Sequence, residues 1–179
     1  MADAILARGG GGGIKKIQFF DWSSLLLLSD WYTRDITIDE VNPDNTIILH
    51  QRNFSSGFRP DVSSLMVELI NSTTVRVSRY NINTSGYYAS DGMIVIEFEN
   101  VKFKQTGTLS RNGNGYTHVG FSQIVNPDKV LTHFTYHSRS TSLGIDQLKR
   151  NYGDFDAYGI RFMHSTDIND LHYQIIEFY

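Results

Sequence analysis

Few side chains in this sequence have the type and spacing of reacting groups. The six histidines, His50, His118, His133, His137, His164 and His172, form no zinc-protease spacing. His133 and His137 would share one face of a strand about 13 Å apart, too far for a single metal. Asp154 and Asp156, flanked by Tyr152 and Tyr158, have the composition of a glycosidase groove, which needs two carboxylates facing each other beside aromatic platforms. A polar loop tip with buried aromatics accounts for the same residues. No Gly-x-Ser-x-Gly elbow occurs, and with no Cys there is no thiolate nucleophile, Cys-ligated zinc or disulfide. Gly9, Gly10, Gly11, Gly12 and Gly13 could offer amides to a phosphate, but no strand precedes them and no Lys-Ser/Thr pair follows. The expectation is therefore a protein with no catalytic residue, no metal and no cofactor, one that works by contact.

Composition points the same way. The 179 residues carry 40% hydrophobic, 13% aromatic and 20% charged side chains, enough for a packed core and unlike a disordered chain. A net charge of -3 lacks the electrostatic footprint of a general nucleic-acid binder. The most apolar run, Trp22 to Leu28, is far shorter than the roughly 20 residues of a spanning helix, so no membrane span is expected. Met1 to Arg8 carries Asp3 and only a short apolar run, so no secretory leader is expected either.

The elements that must position any contact residue read as strands. Ile36-Thr37-Ile38, Leu65 to Leu69, Val75-Arg76-Val77, Ile94 to Phe98 and Val101-Lys102-Phe103 alternate with period two. Turn signals separate them at Asn42-Pro43-Asp44-Asn45, Asn71-Ser72-Thr73, Ser90-Asp91-Gly92, Arg111 to Gly115 and Asn126-Pro127-Asp128. The one helical pattern, Gly144 to Asn151, is a turn or two long. This predicts an all-β fold.

The sequence also repeats itself. Val41-Asn42-Pro43-Asp44 returns 84 positions later as Val125-Asn126-Pro127-Asp128, and Val95-Ile96-Glu97-Phe98 returns 80 positions later as Ile175-Ile176-Glu177-Phe178. The 84-residue offset also sets Ile17 on Val101 and Phe19 on Phe103, while Asn71-Ser72-Thr73 is matched with His164-Ser165-Thr166. The expected organisation is a flexible Gly-rich arm over 1–13 and two tandem, similar β-sandwich or barrel-like units over 14–99 and 100–179. Near the start, most of the group Phe19, Phe20, Trp22, Trp31 and Tyr32 are expected to fill the core. Loops 51–64, 80–91 and 138–158 carry the candidate surface contacts Phe54, Phe58, Tyr87, Tyr88, Tyr152 and Tyr158.

The Gly-rich lead into Ile14-Lys15-Lys16-Ile17-Gln18, the Val41-Asn42-Pro43-Asp44 turn, the hairpin Val67 to Val75 and the Val95-Ile96-Glu97-Phe98 ending together resemble a repeat of bacteriophage structural proteins. The C-terminal half keeps the turn and the ending but opens with Val101-Lys102-Phe103 and has an altered hairpin. The resemblance implies a non-enzymatic component of a tailed phage particle, made in the host cytoplasm and located in the virion, in a tail, baseplate or fibre. Its implied partners are other virion proteins and copies of itself in a symmetric assembly, joined through the arm and loops. Capsid decoration, or a module that binds a host-surface glycan or receptor, is the alternative.

Overall fold

The computed structural model describes residues 13–21, 33–51, 65–79, 92–110, 115–123, 126–138, 159–164 and 168–179. They form strands β1 (Ile14–Asp21), β2 (Thr33–Thr37), β3 (Thr46–Gln51), β4 (Leu65–Asn71), β5 (Thr74–Arg79), β6 (Gly92–Phe98), β7 (Val101–Ser110), β8 (Gly115–Gly120), β9 (Val130–Ser138), β10 (Gly159–His164) and β11 (Ile168–Phe178). Two short 3-10 turns, Pro43–Asn45 and Pro127–Lys129, precede β3 and β9. The fold is all-β, and every strand pair is antiparallel.

In the N-terminal half, β1-β6-β3 and β2-β5-β4 form two three-stranded sheets in a sandwich-like arrangement. Alternation turns one face of each inward. Ile48, Met93 and Val95 of the first sheet meet Ile36, Val67, Val75 and Val77 of the second, all buried in one apolar cluster. In the C-terminal half, β7-β11-β9 repeats the first of these sheets strand for strand, and β8 pairs with β10 as β2 pairs with β5. Leu171, Tyr173 and Ile175 of β11 pack with Val119 of β8.

Register shows which residues correspond. Ile47 lies opposite Ile96 as Leu131 lies opposite Ile176, with the corresponding residues 84 and 80 positions apart. The opening strand differs from the sequence reading. Ile14 pairs with Phe98 and Val101 pairs with Phe178, so β1 and β7 correspond at an offset of 87, and Val101 matches Ile14 rather than Ile17. Both pairings carry a register shift beside that end residue. The hairpin match also changes, because Asn71-Ser72-Thr73 leads into β5, whereas His164 is the last residue of β10.

Large and small residues exchange places across the corresponding pairs. Phe20 lies opposite Met93 in one half, and Gly107 lies opposite Tyr173 in the other. A Cβ on Gly107 would meet the Tyr173 ring at 2.5–3.0 Å, so the aromatic ring fills from β11 the space that Phe20 fills from β1.

The two described members of the early aromatic group differ in burial. Phe20 packs against the core, but Phe19 is 74% exposed, because alternation along β1 turns it to the opposite face. Trp22, Trp31 and Tyr32 lie outside the described residues, as does the helical pattern at 144–151.

Candidate functional site: buried polar nodes and the seam between the halves

Of the residues singled out from the sequence, the two Asn-Pro-Asp turns are described in full backbone detail. Asn42 Oδ1 accepts from the Asp44 N–H at 3.0 Å and Asn126 Oδ1 from the Asp128 N–H at 3.1 Å, so each Asn caps its own turn. Pro43 and Pro127 open these turns, where a missing N–H costs nothing. Gly13 accepts a hydrogen bond from Glu99 N at 2.7 Å, which ties it to the β6–β7 connection. Gly9, Gly10, Gly11 and Gly12, the loop aromatics Phe54, Phe58, Tyr87, Tyr88, Tyr152 and Tyr158, and the pair Asp154 and Asp156 lie outside the described residues.

The repeated motifs converge on two buried carboxylates. Glu97 Oε1 accepts from Lys15 Nζ at 2.7 Å and from the Asn42 N–H at 3.2 Å. Glu177 Oε1 accepts from Lys102 Nζ at 2.9 Å and from the Asn126 N–H at 2.8 Å. Opening strand, turn and closing strand thus meet at one oxygen in each half, and both glutamates are almost fully enclosed. A buried carboxylate is tolerated only with such partners.

A second device also occurs twice. Gln18 bonds both backbone groups of Asp39, and Gln105 accepts from the Ser122 N–H while donating to the Gly120 carbonyl. Sequence reasoning missed both devices. Their signal was the shared Lys-x-x-Gln of Lys15 to Gln18 and Lys102 to Gln105, hidden by aligning the strands on their apolar residues.

Between the halves lies an apolar seam built from corresponding residues. Ile14, Ile47, Ile96 and Phe98 cluster with Val101, Leu131, Ile176 and Phe178, and the two Phe rings meet edge to face with centroids 4.8 Å apart. Polar side chains of the C-terminal half extend the seam. Gln174, 2% exposed, accepts from the Ile48 N–H and donates to the Ile48 carbonyl, both at 2.8 Å. His133 Nε2 accepts from the His50 N–H at 3.0 Å, and Thr135 Oγ1 accepts from the Val67 N–H at 3.0 Å. β3 and β4 are the edge strands of their sheets, so these side chains satisfy backbone groups that would otherwise be buried unpaired. Lys104 donates to the Pro43 carbonyl, and burial pushes its amine down to about 8, against the pull of Asp44.

One cluster at the seam has the composition of a catalytic triad. Thr108 Oγ1 donates to Glu68 Oε1 at 2.9 Å, and His172 Nδ1 lies 3.1 Å from Thr108 Oγ1 and 3.2 Å from Glu68 Oε1. A relay needs the imidazole between acid and hydroxyl, one ring nitrogen to each. Here both partners meet the same nitrogen, and the threonine hydrogen points to the carboxylate. The arrangement is a structural tie between β4, β7 and β11. The hydrogen bond from His172 holds the Glu68 carboxyl below its ordinary value, against the opposing effect of burial. Burial, helped by the nearby His50 and His172, lowers His133 to about 4, consistent with a neutral ring that accepts from an N–H.

Among the described residues no group of three or more His, Asp or Glu is arranged to hold a metal ion. No helix is long and apolar enough to cross a membrane among the described residues. Comparison with known proteins finds no similar family model, no similar curated protein and no similar solved structure.

Proposed function

We propose that this chain is a non-enzymatic structural component of a tailed bacteriophage particle, associated with the tail, baseplate or fibre. The observation that carries the reading is the use made of the recurring residues. The residues behind the resemblance, Lys15, Asn42 and Glu97, and their counterparts Lys102, Asn126 and Glu177, are joined to one another inside the molecule. What recurs is a device for holding strands together, which suits a building block. The polar cluster most like a catalytic centre lacks the connectivity of a relay, which favours the same reading. In this proposal the protein is made in the host cytoplasm and resides in the virion. Other virion proteins and further copies of the chain are its partners, with Met1 to Gly13 as the linking arm.

Gold-labelled antibody microscopy on particles from a producing culture tests this. Label on the tail or its tip is expected, and a chain lacking residues 1–13 should fold with an unchanged circular dichroism spectrum yet enter particles poorly. Label spread over the head would replace the tail assignment with capsid decoration. Particles without label would overturn the virion reading.

A further inference from the structure

The sheet β1-β6-β3 offers one face to the C-terminal half but leaves part of that face uncovered. Residues opposite each other in register share a face, so Ile17 extends the row of Ile96 and Ile47, and Phe19 extends the row of Ile94 and Leu49. The inner members of these rows belong to the apolar seam. The outer two do not share their burial: Ile17 is 39% and Phe19 74% exposed. At the corresponding places β7 carries Lys104 and Thr106, so the apolar strip is particular to β1.

Among the described residues β1 bonds only to β6 within its sheet, so the strip lies on an edge strand. Lysine is a common guard of such an edge. Both lysines here are turned back onto their own chain, Lys15 to the buried Glu97 and Lys16 to the Glu40 carbonyl at 3.0 Å, with Asp39 nearby.

We propose that β1 is a self-association edge, on which a second copy of this chain pairs its own β1 antiparallel across a two-fold axis near Gln18. That register sets Ile17 of each copy opposite Phe19 of the other, a β-branched residue against an aromatic one. Pairing joins the two three-stranded sheets into one of six strands and continues the apolar face that already holds the C-terminal half. A two-fold contact of this kind closes on itself, so it yields a discrete dimer.

The pairing is a property of the purified full chain and stands or falls without the virion reading. Sedimentation equilibrium should give a dimer, and Phe19→Glu should weaken it by a factor of roughly 30 or more, as loss of a central aromatic anchor does. Thr106→Glu, at the corresponding place in β7, should leave the dimer intact. Because the chain has no Cys, the register can be checked even if Phe19→Glu fails to fold. An oxidised mixture of Ile17→Cys and Phe19→Cys chains should form the mixed disulfide, since directly opposed strand residues lie within disulfide reach. A chain that is monomeric at about 100 μM, a dimer insensitive to Phe19→Glu, or a mixture without the mixed disulfide would overturn the proposal.

Discussion

The two halves use the same strand order for the sheet that carries the motifs, yet treat the seam between them differently. Where the N-terminal half has Ile94 and Leu49, the C-terminal half has Gln174 and His133. Both members of the apolar pair pack against the seam, whereas both members of the polar pair reach across it to the backbone of β3. The difference shows how two sheets of like strand order can be joined. Corresponding apolar residues supply burial, which is non-directional, and a few polar substitutions on one side fix how the halves sit.

The sharpest way to break the comparison is to make the second half like the first at Gln174. Gln174→Ile removes the partners of both the N–H and the carbonyl of Ile48, a residue with 0% exposure. Two buried backbone groups left unpaired cost about 4 kcal/mol together, and isoleucine adds no compensating bond. Urea denaturation should show that loss. The reciprocal change, Ile94→Gln, should not restore it, because stability depends on which strand edge is covered. A loss below about 1 kcal/mol would mean that water reaches the edge of β3.

At His133 the comparison can be sharpened with pH. The ring is held to about 4 in the folded chain and has an ordinary value of 6.5. Between those values the unfolded chain takes up a proton that the folded one refuses, so this group's stability is complete above pH 6.5 and is lost as pH falls towards 4. The loss amounts to roughly 3 kcal/mol. Glu68, held below its ordinary 4.5, adds a further loss as pH falls below that value. His133→Leu, which installs the residue that β3 carries, should flatten the stability profile between pH 6.5 and 4. The variant is weaker than the parent at pH 7, by about 1–3 kcal/mol for the orphaned His50 N–H. Unfolding curves at pH 7, 5.5 and 4.5 decide this, and equal slopes for parent and variant would exclude His133 as the source.

These predictions rest on residues of uneven legibility. Strands such as Leu65–Asn71 and Gly92–Phe98 were readable because alternation and β-branched residues report burial locally. Both Asn-Pro-Asp turns were readable because capping and a fixed φ act within four residues. The register of the opening strand misled, since Ile17 and Phe19 match Val101 and Phe103 in apolar character, while the bonds that align β1 with β7 come from Lys15, Lys102, Gln18 and Gln105. Gln174 and His133 carried no local signal. Each is one polar residue in a strand, and its partner lies 126 or 83 residues away. Glu97 and Glu177 were visible as part of a recurring ending, but that they were buried anchors could be seen only once the turns were placed beside them.

The smallest difference between the halves lies at the turns and tests whether the two carboxylate nodes are interchangeable. Thr46, fully buried, donates from Oγ1 to the Asn42 carbonyl at 2.7 Å, and its counterpart in β9 is Val130, which has no hydroxyl. Thr46→Val therefore converts the first node into the second with almost no change of shape. One neutral hydrogen bond is removed and the Asn42 carbonyl loses a partner, so the expected cost is about 1 kcal/mol. The Asn42 N–H still meets Glu97, and Asn42 Oδ1 still caps Asp44, so the turn itself should persist. Thermal unfolding should show a modest fall in midpoint with an unchanged circular dichroism spectrum. A cost well above about 2 kcal/mol would mean that the Thr46 hydroxyl, and not Glu97, anchors the first turn, and that the two halves are held by different bonds.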